Sequence, residues 1–319
     1  MDADPLPVLV RIQSGLDTDL RTATLARDAG LSESTLHRRL REITGETPRR
    51  HVERLRLERG ATQLMLRRST ILEVALDSGF ASHEVFTRAF RRHFGESPSE
   101  WRHRQTAGGL GQHDRQPGLS EAAEGVSLSR TRLIEMRSLD VAFVRHVGPY
   151  DQVDGGSWAH IRDRLAELGH GVDGLPLGIS HDSPAITPPG RLRFDAAWTI
   201  DLPLPPDGGL GQQTIPGGTF AVTTYVGPFA LLGLAYGAIA ERLMAHADAI
   251  AFGVADGDFG GSVEWYRTGS MHGQAARGSS SEPAEASIDP SLERLAGGGT
   301  RCPSSSSAIF PGSTRQSSM

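Results

Sequence analysis

The chain repeats itself. Residues 31–45 read LSESTLHRRLREITG and residues 81–95 read ASHEVFTRAFRRHFG, one amphipathic segment written twice at an interval of about fifty positions. In the first copy Leu36, Leu40 and Ile43 fall on one side of a helical wheel, and in the second Phe86, Phe90 and Phe94 do the same, which predicts a core stripe on each helix. Ser34, His37, Arg38 and Arg41, and at the matching positions Glu84, Thr87, Arg88 and Arg91, fall on the opposite side. One face packs and the other is presented. A chain that presents the same face twice must build two small helical cores in series.

The residues before and after each copy repeat as well. LARDAGLS and VALDSGFAS each place a small residue, Ala26 or Ala75, four positions before Gly30 or Gly79, which is followed by apolar Leu31 or Phe80. The small residue lets a second helix cross closely, the glycine takes a left-handed conformation, and the apolar residue anchors the turn. This is a helix-turn-helix pattern. Gly45 and Gly95 end the presented helices, and Thr47-Pro48 and Ser97-Pro98 start the next ones, each with a capping hydroxyl before a first-turn proline. Helices are predicted over about 6–13, 20–28, 32–43, 48–66, 70–77, 82–93 and 98–104.

Charge separates the two ends of the chain. Residues 1–105 hold 18 arginines against 15 acidic residues, and the remainder holds 15 against 23. The first part therefore suits a polyanion and the second does not. No lysine occurs anywhere, which reads as codon usage.

Two helix-turn-helix units joined by the long helix TPRRHVERLRLERGATQLM and closed by GESPSEWR resemble the DNA-binding domain of the AraC family of transcriptional regulators. The resemblance covers about residues 5–104. It implies that the second helix of each unit enters a major groove of double-stranded promoter DNA, that the connecting helix holds the two about one turn of DNA apart, and that RNA polymerase is a further partner. It makes Ser34, His37, Arg38, Arg41, Glu84, Thr87, Arg88 and Arg91 the DNA-binding candidates. Arginine can bond guanine O6 and N7 together, Glu can accept from cytosine N4, and Thr can meet the thymine methyl. The turn before the second copy is one residue longer and the two presented faces differ, so the expected operator is asymmetric. Gly60 stands in the connecting helix where the family usually has alanine, which implies a cost of about 1 kcal/mol and a looser spacing between units.

Residues 106–125 are polar and glycine-rich, a linker by composition. From 126 to 270 short β-type runs, LIEMRSL, VAFVRHV, RFDAAWTIDL and TFAVTTYV, alternate with helical stretches near 154–168 and 229–246, which predicts an α+β domain. A fainter repeat runs through it, with Val147-Gly148-Pro149-Tyr150 and Val226-Gly227-Pro228-Phe229 each leading from strand into helix. Together with LGISHDSPAITPPGRLRFDAAWTID and SVEWYR, these residues resemble the GyrI-like small-molecule-binding domain over about 127–268. The fold class is thus multidomain: an all-α double helix-turn-helix part, then an α+β GyrI-like part of two strand-helix repeats.

That resemblance implies an effector pocket in which an acid, here Glu264, lies among aromatics and admits amphipathic or cationic compounds. Trp198, Tyr150, Tyr225, Phe229 and Trp265 are the candidate lining, because ring faces and a carboxylate both attract a desolvated cation. The family's closing apolar-Pro-Leu strand is not evident after SVEWYR, where MHGQAARGSSSEP follows. Residues 271–319 are poor in apolar residues and read as disordered.

Other chemistries fit less well. Cys302 is the single cysteine, so neither a disulfide framework nor a thiolate metal site is expected, and the twelve histidines form no metal-ligand spacing. GISHD at 178–182 and GGLGQQ at 208–213 read as turns, not as a nucleophile elbow or phosphate loop. Neither a secretory segment nor a long apolar run is evident, so a cytoplasmic protein is expected, with no catalytic residue, no cofactor and no membrane partner. A ligand-responsive transcription regulator is the first reading. A GyrI-like small-molecule hydrolase or drug-sequestering protein fused to a DNA-binding module is the second.

Overall fold

The computed structural model describes residues 5–66, 69–108, 127–205, 209–226, 262–265 and 307–312. They divide into two compact units, one of helices and one built on a sheet, and residues 182–191 group with the helices. No helix among the described residues is long and apolar enough to cross a membrane.

The helical unit contains α1 (Leu6–Ser14), α2 (Thr22–Asp28), α3 (Glu33–Thr44), α4 (Pro48–Leu66), α5 (Ile71–Asp77), α6 (His83–Phe94) and α7 (Pro98–Gly108). The starts of α3, α5, α6 and α7 follow from hydroxyl chemistry. Ser32 accepts from Thr35 N at 3.1 Å and Ser82 from Val85 N at 3.3 Å. Thr70 and Glu73 bond each other's backbone N–H, and so do Ser97 and Glu100, two capping boxes that occupy otherwise orphaned donors. The turns close alike: Leu31 N bonds Ala26 O and Phe80 N bonds Ala75 O, across Gly30 and Gly79 at φ +64° and +78°.

Two apolar cores flank α4. Val52 and Leu55 pack with Leu9, Ile12, Leu25, Leu36 and Leu40, whereas Leu57, Ala61 and Leu64 pack with Val74, Phe86, Phe90 and Trp101. Phe86 and Phe90 are fully buried and meet edge-on at 5.3 Å, each contributing about 1.5–3 kcal/mol of burial. Ile43 is a correction to the predicted stripe, being 47% exposed. The stripe runs instead through 36, 40 and 44, as it does through 86, 90 and 94, and Thr44 closes it by donating to Leu40 O at 2.7 Å.

Gly60 also has a packing role: a Cβ there would stand 2.9 Å from Phe86 Cε2 and 3.0 Å from Cζ, so the glycine seats a buried ring against α4. The fifty-residue repeat also includes an ion pair that the sequence reading missed. Arg54 Nε donates to Glu46 at 2.9 Å, and Arg104 Nε donates to Glu96 at 3.1 Å, both across eight residues.

In the second unit α8 (Ser157–Glu167) lies on a sheet of β1 (Ser127–Leu128), β2 (Arg132–Met136), β3 (Leu139–Val147), β4 (Pro176–Ser180), β5 (Arg193–Thr199), β6 (Gly211–Ile215), β7 (Gly218–Val226), β8 (Ser262–Trp265) and β9 (Ser307–Gly312). Every pairing among them is antiparallel. From β2 the strands run β2-β7-β9-β8-β4-β5-β3-β6, with β1 beside β2 on the outer edge of β7. Exchange β2 with β6, β3 with β7, β4 with β8 and β5 with β9, and the same order returns read backwards. The axis of that exchange passes between β4 and β8, where Gly178 stands opposite Glu264 and Leu177 opposite Trp265.

Three expectations change here. GISHD is the end of β4 and GGLGQQ runs into β6, so neither stretch is only a turn. β4 is buried along its whole length and therefore lacks the polar alternation that marks a half-buried strand. Within 271–319, Ser307–Gly312 is the strand that takes the closing place between β7 and β8, with Ala221 opposite Phe310 and Glu264 opposite Ala308. The helical stretch expected near 229–246 lies outside the described residues.

Candidate nucleic-acid interface and effector site

Seven of the eight residues named on the presented faces are exposed: Ser34, His37, Arg38, Arg41, Glu84, Arg88 and Arg91. Arg38 makes a loose pair with Glu42 at 3.3 Å, and Arg91 lies 3.8 Å from Glu100. Arg41 and Arg88 form no salt bridge among the described residues. Exposed pairs of this kind are worth at most about 1 kcal/mol, so these guanidiniums are available to another anion. Glu84 stays an acceptor, since a hydrogen bond from Ser82 holds its carboxyl below the usual range.

Thr87 differs from the others. It is half-buried, and its hydroxyl oxygen is covered and unpaired among the described residues. What it exposes is therefore not its oxygen, which suits contact with a methyl better than a polar contact. In α3, Ser34 Oγ lies 3.0 Å from the capping Ser32 Oγ.

The two presented helices are held by matched devices. Each begins at a serine cap, and each ends at a left-handed glycine, Gly45 at φ +70° and Gly95 at +80°, whose N–H bonds the carbonyl of Arg41 or Arg91. Each is also followed by the eight-residue Glu–Arg pair. Glu46 is largely buried with Arg54 and His51, and Arg54 continues to Glu58 at 2.9 Å. Burial opposes ionisation of Glu46, but the His51 hydrogen bond and the Arg54 charge outweigh it and bring its pKa to about 2.

In the sheet unit the aromatic candidates separate. Trp198 is buried in the cluster under α8 with Trp158, Ile161, Leu165 and Phe194, and Tyr150 packs at its margin. Tyr150 follows β3 in a short turn and donates its hydroxyl to Arg193 O at 3.4 Å. The indole N–H of Trp198 has no hydrogen-bond partner among the described residues. Tyr225 is buried on β7, and burial pushes its hydroxyl pKa up. Phe229 and the side chains of Glu264 and Trp265 lie outside the described residues; the register alone sets those two on β8 at the axis of the sheet.

A buried polar group escaped the sequence reading. Asp195 on β5 is completely buried and accepts from Arg145 Nε and Nη2, His181 Nε2 and Gln213 Nε2, all at 2.7 Å. Burial opposes the charge on Asp195, yet Arg145 holds its carboxyl below the usual range. Burial pushes the His181 imidazole down, with Arg145 and Arg193 adding to it against Asp195. Neutral His181 then donates one N–H to the carboxylate. Its only early trace is an arginine inside the apolar run VAFVRHV. No cluster of three or more His, Cys, Asp or Glu among the described residues is arranged to hold a metal.

Known proteins divide along the same boundary. Residues 25–104 match a helix-turn-helix domain family and residues 130–253 match the GyrI-like small molecule binding domain family. Regulatory protein SoxS of Salmonella typhimurium strain LT2 is 33% identical over 93 residues, 29% of this chain and 87% of that protein. Right origin-binding protein of Escherichia coli strain K12 is 33% identical over 95 residues, 30% of this chain and 33% of that protein. An AraC-type transcriptional regulator of Chromobacterium violaceum aligns with 26% identity and a TM-score of 0.30, covering 32% of this chain and 91% of that one.

Proposed function

The chain belongs to the AraC family of transcriptional regulators, with a GyrI-like domain after its helix-turn-helix part, and on that premise we propose that α3 and α6 read two adjacent major-groove segments of a promoter. The observation that carries the reading is the doubled helix: the same caps, end glycines and buried stripe present two exposed, arginine-bearing faces. Half to two-thirds of protein–DNA hydrogen bonds go to phosphate and sugar, so part of this set positions the helices while the rest discriminates bases. Arg38 and Arg88 are assigned to base edges, with Ser34, His37, Arg41, Glu84, Thr87 and Arg91 around them. The two faces are unlike, so the two segments are unlike.

The second domain is assigned a small cationic or amphipathic ligand whose binding alters promoter occupancy and, through it, recruitment of RNA polymerase. The register supports this, because it sets Glu264 opposite Gly178, a residue without a side chain, at the axis of the sheet. Trp198, Tyr150, Tyr225, Phe229 and Trp265 are the assigned lining.

Selection of bound duplexes from a random pool by the full chain tests the DNA reading, which requires two unlike segments about one turn apart. A symmetric or unselective result ends it. Titration with benzyltriethylammonium, followed by tryptophan fluorescence and by occupancy of the selected duplex, tests the ligand reading. Glu264→Ala must abolish both responses and leave unliganded DNA affinity unchanged.

A further inference from the structure

Arg56 lies on α4 between the residues that enter the first core, Val52 and Leu55, and those that enter the second, Leu57, Ala61 and Leu64. Its guanidinium reaches back some forty residues. Nε donates to Leu16 O at 2.7 Å and Nη2 donates to Thr18 O at 2.9 Å, both in the segment between α1 and α2. Leu16 is itself buried in the first core.

The Leu16 carbonyl has a second neighbour. A Cβ on Gly79, the turn glycine of the second unit, would collide with Leu16 O and stand 2.7 Å from Arg56 Nε. Gly30, the corresponding glycine of the first unit, has nothing within 4 Å of the same position. The two turns are therefore alike in backbone conformation and unlike in surroundings. Only the second is pressed against a foreign carbonyl, at the point where the first unit, the connecting helix and the second unit meet.

We infer that Arg56 is a positioning residue for DNA reading: by fastening Leu16–Thr18 against the Gly79 turn, it fixes α3 relative to α6 and so sets the separation of the two segments the protein accepts. The connecting helix alone does not fix this angle, because a helix-turn-helix unit can pivot about the α4 residues it packs on. A charge-assisted pair of bonds to two carbonyls resists that pivot on one side, and the close approach of Gly79 resists it on the other. This inference rests on the reading of α3 and α6 proposed above.

The test uses the full chain and the duplex it selects, with zero, one or two base pairs added or removed between the two segments, and affinity measured by fluorescence anisotropy. The parent should lose about tenfold or more for a one-pair change, since one segment's contacts are then misplaced. Arg56→Ala should lose less than about threefold for the same change, while binding a duplex with a single segment as the parent does. Arg56→Lys, which keeps one donor toward Leu16 O, should fall between the two and should keep the parent's thermal melt. An Arg56→Ala protein with the parent's spacing penalty overturns the inference, and so does one weakened equally on single-segment and two-segment duplexes. A parent that selects no duplex takes down the reading of α3 and α6, and this inference with it.

Discussion

Phe86 occupies the space that Gly60 leaves on α4, its ring edge 2.9 Å from where a Cβ would stand. Alanine in place of a mid-helix glycine ordinarily returns about 1 kcal/mol. Here the neighbour is a fully buried ring, and overpacking costs about 1–3 kcal/mol. Gly60→Ala should therefore be neutral to about 2 kcal/mol destabilising in urea unfolding followed by the helical signal. A gain of about 1 kcal/mol would show that the ring yields freely.

Glu46 makes stability depend on acid. Its folded pKa of about 2 lies below the ordinary 4.5, so the unfolded chain takes up a proton first as pH falls. The stabilisation is complete above about pH 4.5 and disappears as pH drops toward 2. Thermal melts from pH 6 to pH 2.5 should show a steeper loss in the parent than in Glu46→Gln. Parallel curves would remove Glu46 from the account.

Arg38→Ala and Arg88→Ala should each weaken binding to the selected duplex by about 1–3 kcal/mol if they bond a base edge. Specificity at one position should relax with it. An arginine that meets phosphate instead will weaken all duplexes alike and reduce the salt slope by about one unit. Unchanged affinity for both variants at moderate salt would contradict the assignment.

β9 closes the sheet between β7 and β8. A chain ended after residue 306 leaves both neighbours with unpaired edges, and exposed edges of that kind promote association. Size-exclusion chromatography should find oligomers of the shortened chain. Its affinity for the selected duplex, measured at low protein concentration, should stay within about threefold, because a compact unit separate from the sheet holds α3 and α6. A monodisperse shortened chain would show that the sheet does not need this strand.

The helical unit was legible because its determinants are local. Serine caps, left-handed glycines and prolines act over three or four residues, and the fifty-residue repeat states each of them twice. Ile43 misled because one apolar residue beside the stripe outweighed Thr44 on it. The sheet was legible where strand-forming residues run together: β2, β3, β5 and β7 appeared as β-type runs rich in branched and aromatic side chains, whereas β4, PLGIS, and β6, GQQTI, carry few of them and did not. β9 could not be read from its neighbours, since a serine-rich stretch surrounds it and its partners are far off in sequence. The Arg145–Asp195 pair spans fifty residues and leaves no spacing to find. The aromatic candidates illustrate the same limit, because Trp198 reads alike in a sequence whichever neighbours it meets, and its place beside Trp158 and Phe194 under α8 is set by the fold.

The palindromic sheet has a consequence for synthesis. Helices α1 to α7 are complete by Gly108, whereas β4 waits for β8 and β7 waits for a strand that begins only at Ser307. Domains fold as units while the chain is made, the N-terminal one first. For most of its time on the ribosome each nascent copy therefore carries a finished pair of presented helices and an unfinished sheet, so an aborted or proteolysed product retains α3 and α6 and lacks the sheet.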